Sequence, residues 1–355
     1  MENEIITKRI DWIDTAKLIG IFFMIIGHVM EEMNMSTLLY YYIYSFHMPL
    51  FFILSGITFS NKNSLKKSIY KYFFQLVIPY IFFYCIDYVF WFFVSFLRHP
   101  EVFERSVYVG LIKPFVGIFV GYDSFYSINV GKSIWFFIVL FSCKTISRLF
   151  DEISSNYRFL ELFFSLFTVI MSYYLFYNKI NLPFYIPETM MSYFFFYIGK
   201  LVKNKIHFRK KYFYILLFLI TFIIQLVGCY FQKGVGIRGI NMGTNYFGLL
   251  FYPLAIIGCL SIVMLCNIIP PLKGNLKYLS MNTVIIVGYN RFLITIIRKS
   301  LGFIIRYKTS FLFDYFYIII ISLFVLLFSF FPCYIMQKYF PFFIGKGRMS
   351  YIEKQ

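Results

Sequence analysis

The stretch DTAKLIGIFFMIIGHVMEE, residues 14–32, is apolar enough to cross a bilayer, yet it carries a lysine near its start, a histidine deep inside and two glutamates just after the histidine. About 20 mainly apolar residues is the length that a transmembrane helix needs. Ionisable groups within such a helix are costly and usually face an interior cavity or a charged partner. The stretch therefore predicts a membrane helix that contributes to a functional site.

The composition of the whole chain agrees with a membrane protein. Of its 355 residues, 60% are hydrophobic and only 14% are charged, unlike the composition of a soluble domain. Because lipid offers no partner for a bare peptide group, the apolar runs must be helices. The predicted fold is all-α, a polytopic bundle of about ten membrane-spanning helices. The predicted spans are 18–33, 38–59, 73–97, 133–150, 159–177, 189–203, 212–231, 246–269, 281–297 and 315–339.

We expect one integral membrane domain over residues 1–355, with a short cytoplasmic N-terminal segment, 1–16, and a short cytoplasmic tail, 341–355. The net charge of +18 is dispersed among the ends of the apolar runs, which argues against a nucleic-acid partner. Its densest parts, NKNSLKKSIYK (61–71) and GKLVKNKIHFRKK (199–211), are expected in the cytoplasm, as positive loops usually are. The predicted location is the cell membrane, as a multi-pass protein surrounded by lipid.

The six cysteines lie in or beside apolar runs and lack the spacing of metal ligands. We expect them to be small core residues, and we predict no metal site.

Lys17 and His28 share one face of the first predicted helix. Eleven residues correspond to about 1100° of rotation and roughly 16 Å of rise, so the two side chains point within ~20° of each other. Lys17 can extend its ammonium group to the cytoplasmic interface, and His28 is expected near the bilayer midplane.

Two carboxylates follow His28, Glu31 at i+3 and Glu32 at i+4, and we assign Glu32 the role of orienting the imidazole. A histidine held by a carboxylate suits general-base catalysis. The alternative is that both glutamates only end the helix. Asp14, three residues before Lys17, either pairs with it or complements the helix dipole.

A second histidine, His47, lies in YSFHMPLFFILSG (44–56) on the second predicted helix. It is nine residues from the outer end of that helix, or ~13 Å below the surface, which is nearly the depth of His28. Consecutive antiparallel helices are usually neighbours, so the two histidines are expected in one cavity. The alternative for each is a neutral histidine bonded to a backbone carbonyl.

The opening resembles a known family. RIDWIDTAKLIGIFFMIIGHV (9–29) followed by YSFHMPLFFILSGITFS (44–60) is similar to the start of the acyltransferase family 3 membrane proteins, and in particular to the fucose 4-O-acetylase-like branch. The family has a basic residue, ten intervening residues and a histidine in the first helix, as Lys17 and His28 are placed here. Where relatives often have a late histidine, this chain has Asn290.

The resemblance implies an O-acyltransferase that moves an acetyl group from cytoplasmic acetyl-CoA to a hydroxyl of a cell-surface glycan or its lipid-linked precursor. His28 would be the general base or a transient acyl carrier, and His47 would donate to the carbonyl oxygen as charge develops on it. The residues that we expect to bind the acyl-CoA donor are Lys17, Asp14, Lys66, Lys67 and Lys71. Those that we expect to bind the glycan acceptor are Trp135, Arg238, Asn241 and Asn290.

Two other classes of protein fit the same pattern. A proton-coupled transporter or exporter of a glycan or small metabolite also has ionisable groups at the membrane midplane. A scaffolding membrane protein is the third reading, although the stripe from Lys17 to His28 argues against it.

Overall fold

The computed structural model describes residues 11–98, 112, 115–117, 133–153, 158–180, 182–203, 211–233, 236–237, 245–304 and 311–346. The predicted all-α fold is confirmed, since the described chain is a helix bundle. Its helices are α1 (Asp11–Glu32), α2 (Leu38–Ile57), α3 (Leu65–Tyr72), α4 (Ile78–Arg98), α5 (Trp135–Ile153), α6 (Arg158–Tyr177), α7 (Ile186–Val202), α8 (Lys211–Gln232), α9 (Phe251–Ile268), α10 (Gly274–Ser280), α11 (Thr283–Ile304), α12 (Phe311–Phe328) and α13 (Phe330–Tyr339).

Seven helical segments of the described chain are long and apolar enough to cross a membrane, and α10 with α11, bent by 89°, gives an eighth. The predicted number of about ten is therefore approximate. Two predicted spans form helices that fall short of this criterion. The second half of α5 carries several charged residues, and α7 has only 17 residues.

Burial distinguishes inner helices from outer ones. The apolar part of α1 is 78% buried inside the protein, whereas that of α8 is only 17% buried. Much of α7 is also buried, with Tyr193, Phe195 and Phe196 fully enclosed. A helix that is apolar on all sides belongs inside a bundle or a membrane. A helix that is surrounded by other helices does not need to be long enough to span the lipid. The first helix of the sequence is thus at the centre of the fold.

Helices α2 and α7 pack with their backbones in contact at two glycines. A methyl group added at Gly56 would overlap the carbonyl oxygen of Phe196, and one added at Gly199 would overlap that of Ile53. Small residues allow this close approach between membrane helices, where packing rather than water exclusion drives association. The contact fixes α2, which carries His47, against the inner helix α7.

A buried ionic network joins α5, α6 and α7. The ammonium group of Lys200 donates to Asp151 Oδ1 at 2.5 Å, to Glu161 Oε2 at 2.8 Å and to Ser147 Oγ at 3.0 Å. The Tyr193 hydroxyl donates to the other oxygen of Glu161 at 2.9 Å. Buried charges need partners of this kind, and here each helix supplies at least one.

Candidate active site

A cavity of about 280 Å³ lies between α1, α2, the start of α5 and α11. Both membrane histidines are on its wall and are almost completely buried, with His28 7% and His47 2% exposed. They are close enough to interact electrostatically. The structure therefore brings them together, as the helix rise predicts. Other polar or aromatic residues of the wall are Glu31, Tyr40, Tyr44, Trp135 and Arg291.

The ring of His28 is held by Asn290 from α11. His28 Nδ1 lies 2.7 Å from Asn290 Oδ1, and the amide nitrogen of Asn290 donates to the backbone carbonyl of Val287. Because a carbonyl only accepts hydrogen bonds, the second contact fixes which end of the amide faces the ring. The amide oxygen must then accept the proton of Nδ1. A neutral His28 consequently has its lone pair on Nε2, the nitrogen that a general base needs.

The ring of His47 is fixed in the same tautomer by its own helix. Its Nδ1 donates to the carbonyl oxygen of Ile43 at 2.9 Å, one helical turn earlier. The Nε2 of a neutral His47 is therefore also an acceptor. This geometry disfavours the expected donation from His47 to a carbonyl oxygen, because the ring proton is already used.

The carboxylate on the cavity wall is Glu31. Its Oε2 accepts a hydrogen bond from Arg291 Nη2 at 2.7 Å and another from the Tyr44 hydroxyl at 2.9 Å. Glu31 is 35% exposed and Arg291 18% exposed, so the pair is shielded but not sealed. Charge-assisted hydrogen bonds in such surroundings are strong and directional. Glu31 and Arg291 together provide a fixed charge pair beside the histidines.

The predicted pairing of Glu32 with His28 is not found. Glu32 Oε1 accepts from the Thr295 hydroxyl at 3.3 Å, and Glu32 Oε2 lies 3.2 Å from Arg298 Nε. The i+4 spacing allows a contact with His28 but does not require it. Because α11 offers Arg298 to Glu32, this carboxylate points away from the cavity.

Near the start of α1, a lysine of α5 comes close to two lysines from other helices. Lys17 of α1 lies 4.0 Å from the buried Asp14, which fits their expected pairing. Lys144 of α5 lies close enough to Lys17 and to Lys71 of α3 for the charge of each to act on it. Lys144 also lies over the ring of Tyr72, 5.4 Å from its centroid. We call Lys17, Lys71 and Lys144 the lysine cluster.

The remaining predicted residues fall in different places. Trp135 lines the cavity, as a substrate-binding residue should. Lys66 is exposed and Lys67 half-buried on α3, beside the lysine cluster in sequence. Arg238 and Asn241 lie outside the described residues.

Asn290 needs a correction, because we expected it to bind the acceptor. It is fully buried and is not part of the cavity wall. Its amide oxygen and its amide nitrogen are both used within the protein. Asn290 therefore acts on the site through His28.

Three residues of the site were not predicted: Glu31 as the cavity carboxylate, Arg291 and Lys144. Arg291 and Lys144 are both cations within largely apolar stretches, which is a usable sequence signal for a functional group. Within the described residues, no group of three or more His, Cys, Asp or Glu side chains could hold a metal ion.

A family model described as an acyltransferase domain matches residues 10–336. Neither a curated protein nor a solved structure matches the chain.

Proposed function

This chain belongs to the acyltransferase family 3, and from that premise we propose that it moves an acetyl group from acetyl-CoA to a hydroxyl of a cell-surface glycan or its lipid-linked precursor. The single observation that carries the mechanism is the hydrogen bond from His28 to Asn290. It leaves Nε2 of His28 as an acceptor at a cavity large enough for the reacting groups.

In the proposed reaction, His28 Nε2 takes the proton of the acceptor hydroxyl as its oxygen attacks the thioester carbon. The imidazole is suited to this role because it exchanges a proton near neutral pH. The same nitrogen then returns the proton to the leaving thiolate. This single-displacement route requires no acyl-histidine intermediate, although Nε2 could also carry the acyl group transiently.

The lysine cluster supports a site for the phosphates of coenzyme A. The cluster brings positive charge from three helices together, and Lys17 lies 4.0 Å from Asp14. Lysine binds phosphate as a point charge, and several together suit a polyanion. Lys66 and Lys67 extend the positive surface on α3. Lys17 precedes His28 by roughly 16 Å along α1, a distance that the extended pantetheine arm would have to cover.

The aromatic wall of the cavity supports a sugar as the acceptor. Tyr40 and Tyr44 have ring centroids 4.4 Å apart, and Trp135 lies on the same wall. Such side chains combine an apolar face with a polar edge, which is what a sugar ring offers in return. Arg238 and Asn241 are further candidates for this role. The fucose 4-O-acetylase-like branch is proposed on sequence likeness alone.

We also propose a single domain in the cell membrane with both termini in the cytoplasm. The charge of the segments around α3 and after α7 supports this orientation, and it puts the lysine cluster on the side where acyl-CoA is made.

The test uses the purified protein in detergent with acetyl-CoA, and mass spectrometry of the free coenzyme A that is released. We expect turnover by the wild type and its loss in His28→Ala, while that variant still unfolds cooperatively on heating. Asn267→Ala is the matched control, because within the described part of the chain the Asn267 side chain bonds to the carbonyl of Val263 on its own helix and to no other residue. A transporter would leave acetyl-CoA intact, and full turnover by His28→Ala would remove His28 from the mechanism. Comparing surface glycans from cells with and without the gene would then identify the acceptor.

A further inference from the structure

Acyl transfer places negative charge on the carbonyl oxygen of the thioester, and none of the residues discussed above has been assigned to stabilise that charge. When the hydroxyl oxygen attacks the thioester carbon, the carbonyl π electrons move to the carbonyl oxygen. Stabilising this oxyanion with a fixed donor or cation is usually the largest electrostatic contribution to catalysis of acyl transfer. The cavity should therefore contain such a group near His28.

Several hydrogen-bond donors on the wall are already engaged. His28 and His47 use their Nδ1 protons on Asn290 and Ile43, so their Nε2 atoms can only accept while the rings are neutral. The Tyr44 hydroxyl donates to Glu31. Neither imidazole can supply the stabilising donor in the resting tautomer.

Arg291 differs from every other lining residue of the described chain, because it is cationic at all pH values near neutrality. Its guanidinium has five N–H donors in a planar fork, and one Nη is committed to Glu31 at 2.7 Å. Its Nε is buried and makes no hydrogen bond to the described residues. The group is held in position with donor capacity left over.

We infer that Arg291 is a catalytic residue that stabilises the oxyanion of the acyl-transfer intermediate, and that Glu31 and Tyr44 are positioning residues that hold its guanidinium at the cavity wall. The inference rests on the proposed function. The hydroxyl proton goes to His28 Nε2, the new C–O bond forms, and the carbonyl electron pair becomes the oxyanion beside Arg291. When the carbonyl re-forms, the C–S bond breaks, and the thiolate takes the proton from His28. The products are the ester and free coenzyme A.

A second arginine in the protein provides a control for the possibility that Arg291 has only a structural role. Arg298, seven residues further along α11, pairs with Glu32 of α1 at 3.2 Å and also donates to the Glu32 carbonyl oxygen at 3.1 Å. It joins the same two helices but does not line the cavity. If Arg291 served only to tie α1 to α11, the two arginines should be equally important.

The experiment measures kcat and KM for acetyl-CoA, together with thermal stability, for Arg291→Gln, Arg291→Lys and Arg298→Gln. We expect Arg291→Gln to lower kcat roughly 10²- to 10³-fold with little change in KM, as loss of an oxyanion donor does elsewhere. Arg291→Lys keeps the charge and should recover part of the rate. Arg298→Gln should keep kcat within about threefold of the wild type, since the ion pair and the hydrogen bond that it removes lie outside the cavity.

A second variant covers the case in which Arg291→Gln fails to fold because Glu31 is left unpaired. Glu31→Gln combined with Arg291→Gln removes both charges, and it should fold and show the same loss of kcat. A kcat in this double variant within about tenfold of the wild type would overturn the inference, since the predicted loss is at least 10²-fold. So would an equal loss in Arg298→Gln. If the wild type itself does not turn over acetyl-CoA, the proposed function fails, and the role of Arg291 in that reaction fails with it.

Discussion

Replacing Asn290 with leucine tests whether the tautomer of His28 matters. Leucine has a similar size but no acceptor, so the Nδ1 proton of His28 would be buried without a partner. An unsatisfied buried donor costs about 1–3 kcal/mol. The ring can avoid burying this N–H by moving its proton to Nε2. In that tautomer Nε2 has no lone pair with which to accept the proton of the substrate hydroxyl.

The expected loss of activity follows from this cost. If the active tautomer becomes less favourable by about 1–3 kcal/mol, kcat falls about 5- to 150-fold, because 1.36 kcal/mol corresponds to a factor of ten. Asn290→Asp keeps an oxygen facing Nδ1 and should lose less activity than Asn290→Leu, even though it gives up the donation to Val287.

The assay is release of coenzyme A by purified protein at saturating acetyl-CoA, with thermal stability measured in parallel. Asn282→Leu is the matched control, because Asn282 is an equally buried asparagine that bonds to Gln337 and Lys346 instead of a histidine. Wild-type kcat in Asn290→Leu would refute the argument. An equal fall of kcat in Asn282→Leu would show that removing any buried polar side chain near α11 has the same effect.

Two further predictions concern packing and donor binding. Gly199→Ala should lower the free energy of unfolding of the bundle by roughly 1–3 kcal/mol, since its methyl group would meet the Ile53 backbone. Gly20→Ala should cost less, because its methyl group would meet only side-chain atoms. Thermal unfolding in detergent compares the two variants. Lys144→Gln should raise the KM for acetyl-CoA about tenfold or more, since hydrogen bonds to charged groups contribute about 1.5–3 kcal/mol. Lys62 is exposed, and an equal rise in KM in Lys62→Gln would argue against a specific phosphate site.

The helices themselves could be predicted because each can be recognised from a run of consecutive residues. Long apolar runs bounded by charged loops gave the fold class and the order of helices along the chain. The number of spans could not be obtained in this way. Whether α7 faces lipid or is enclosed by protein depends on which helices surround it, and apolar composition is the same in both cases.

The meeting of the two histidines at one cavity was also predictable, since helix rise is constant. The choice between Glu31 and Glu32 was not, because it depends on Arg291 and Arg298, some 260 residues later in the chain. For the same reason the sequence did not reveal that Asn290 bonds to His28, from which it is separated by 262 positions. Local periodicity has no information about which distant side chain arrives at a given turn.

The glycine contact between α2 and α7 bears on how the cavity could open. Where the backbones of the two helices touch at Gly56 and Gly199, no side-chain layer separates them, so we expect them to move as one rigid body. His47 would then travel with this body, while His28 travels with α1. Any widening that admits a sugar or releases coenzyme A should change the separation of the two imidazoles, and a pair of spectroscopic labels on α1 and α2 would record it during turnover.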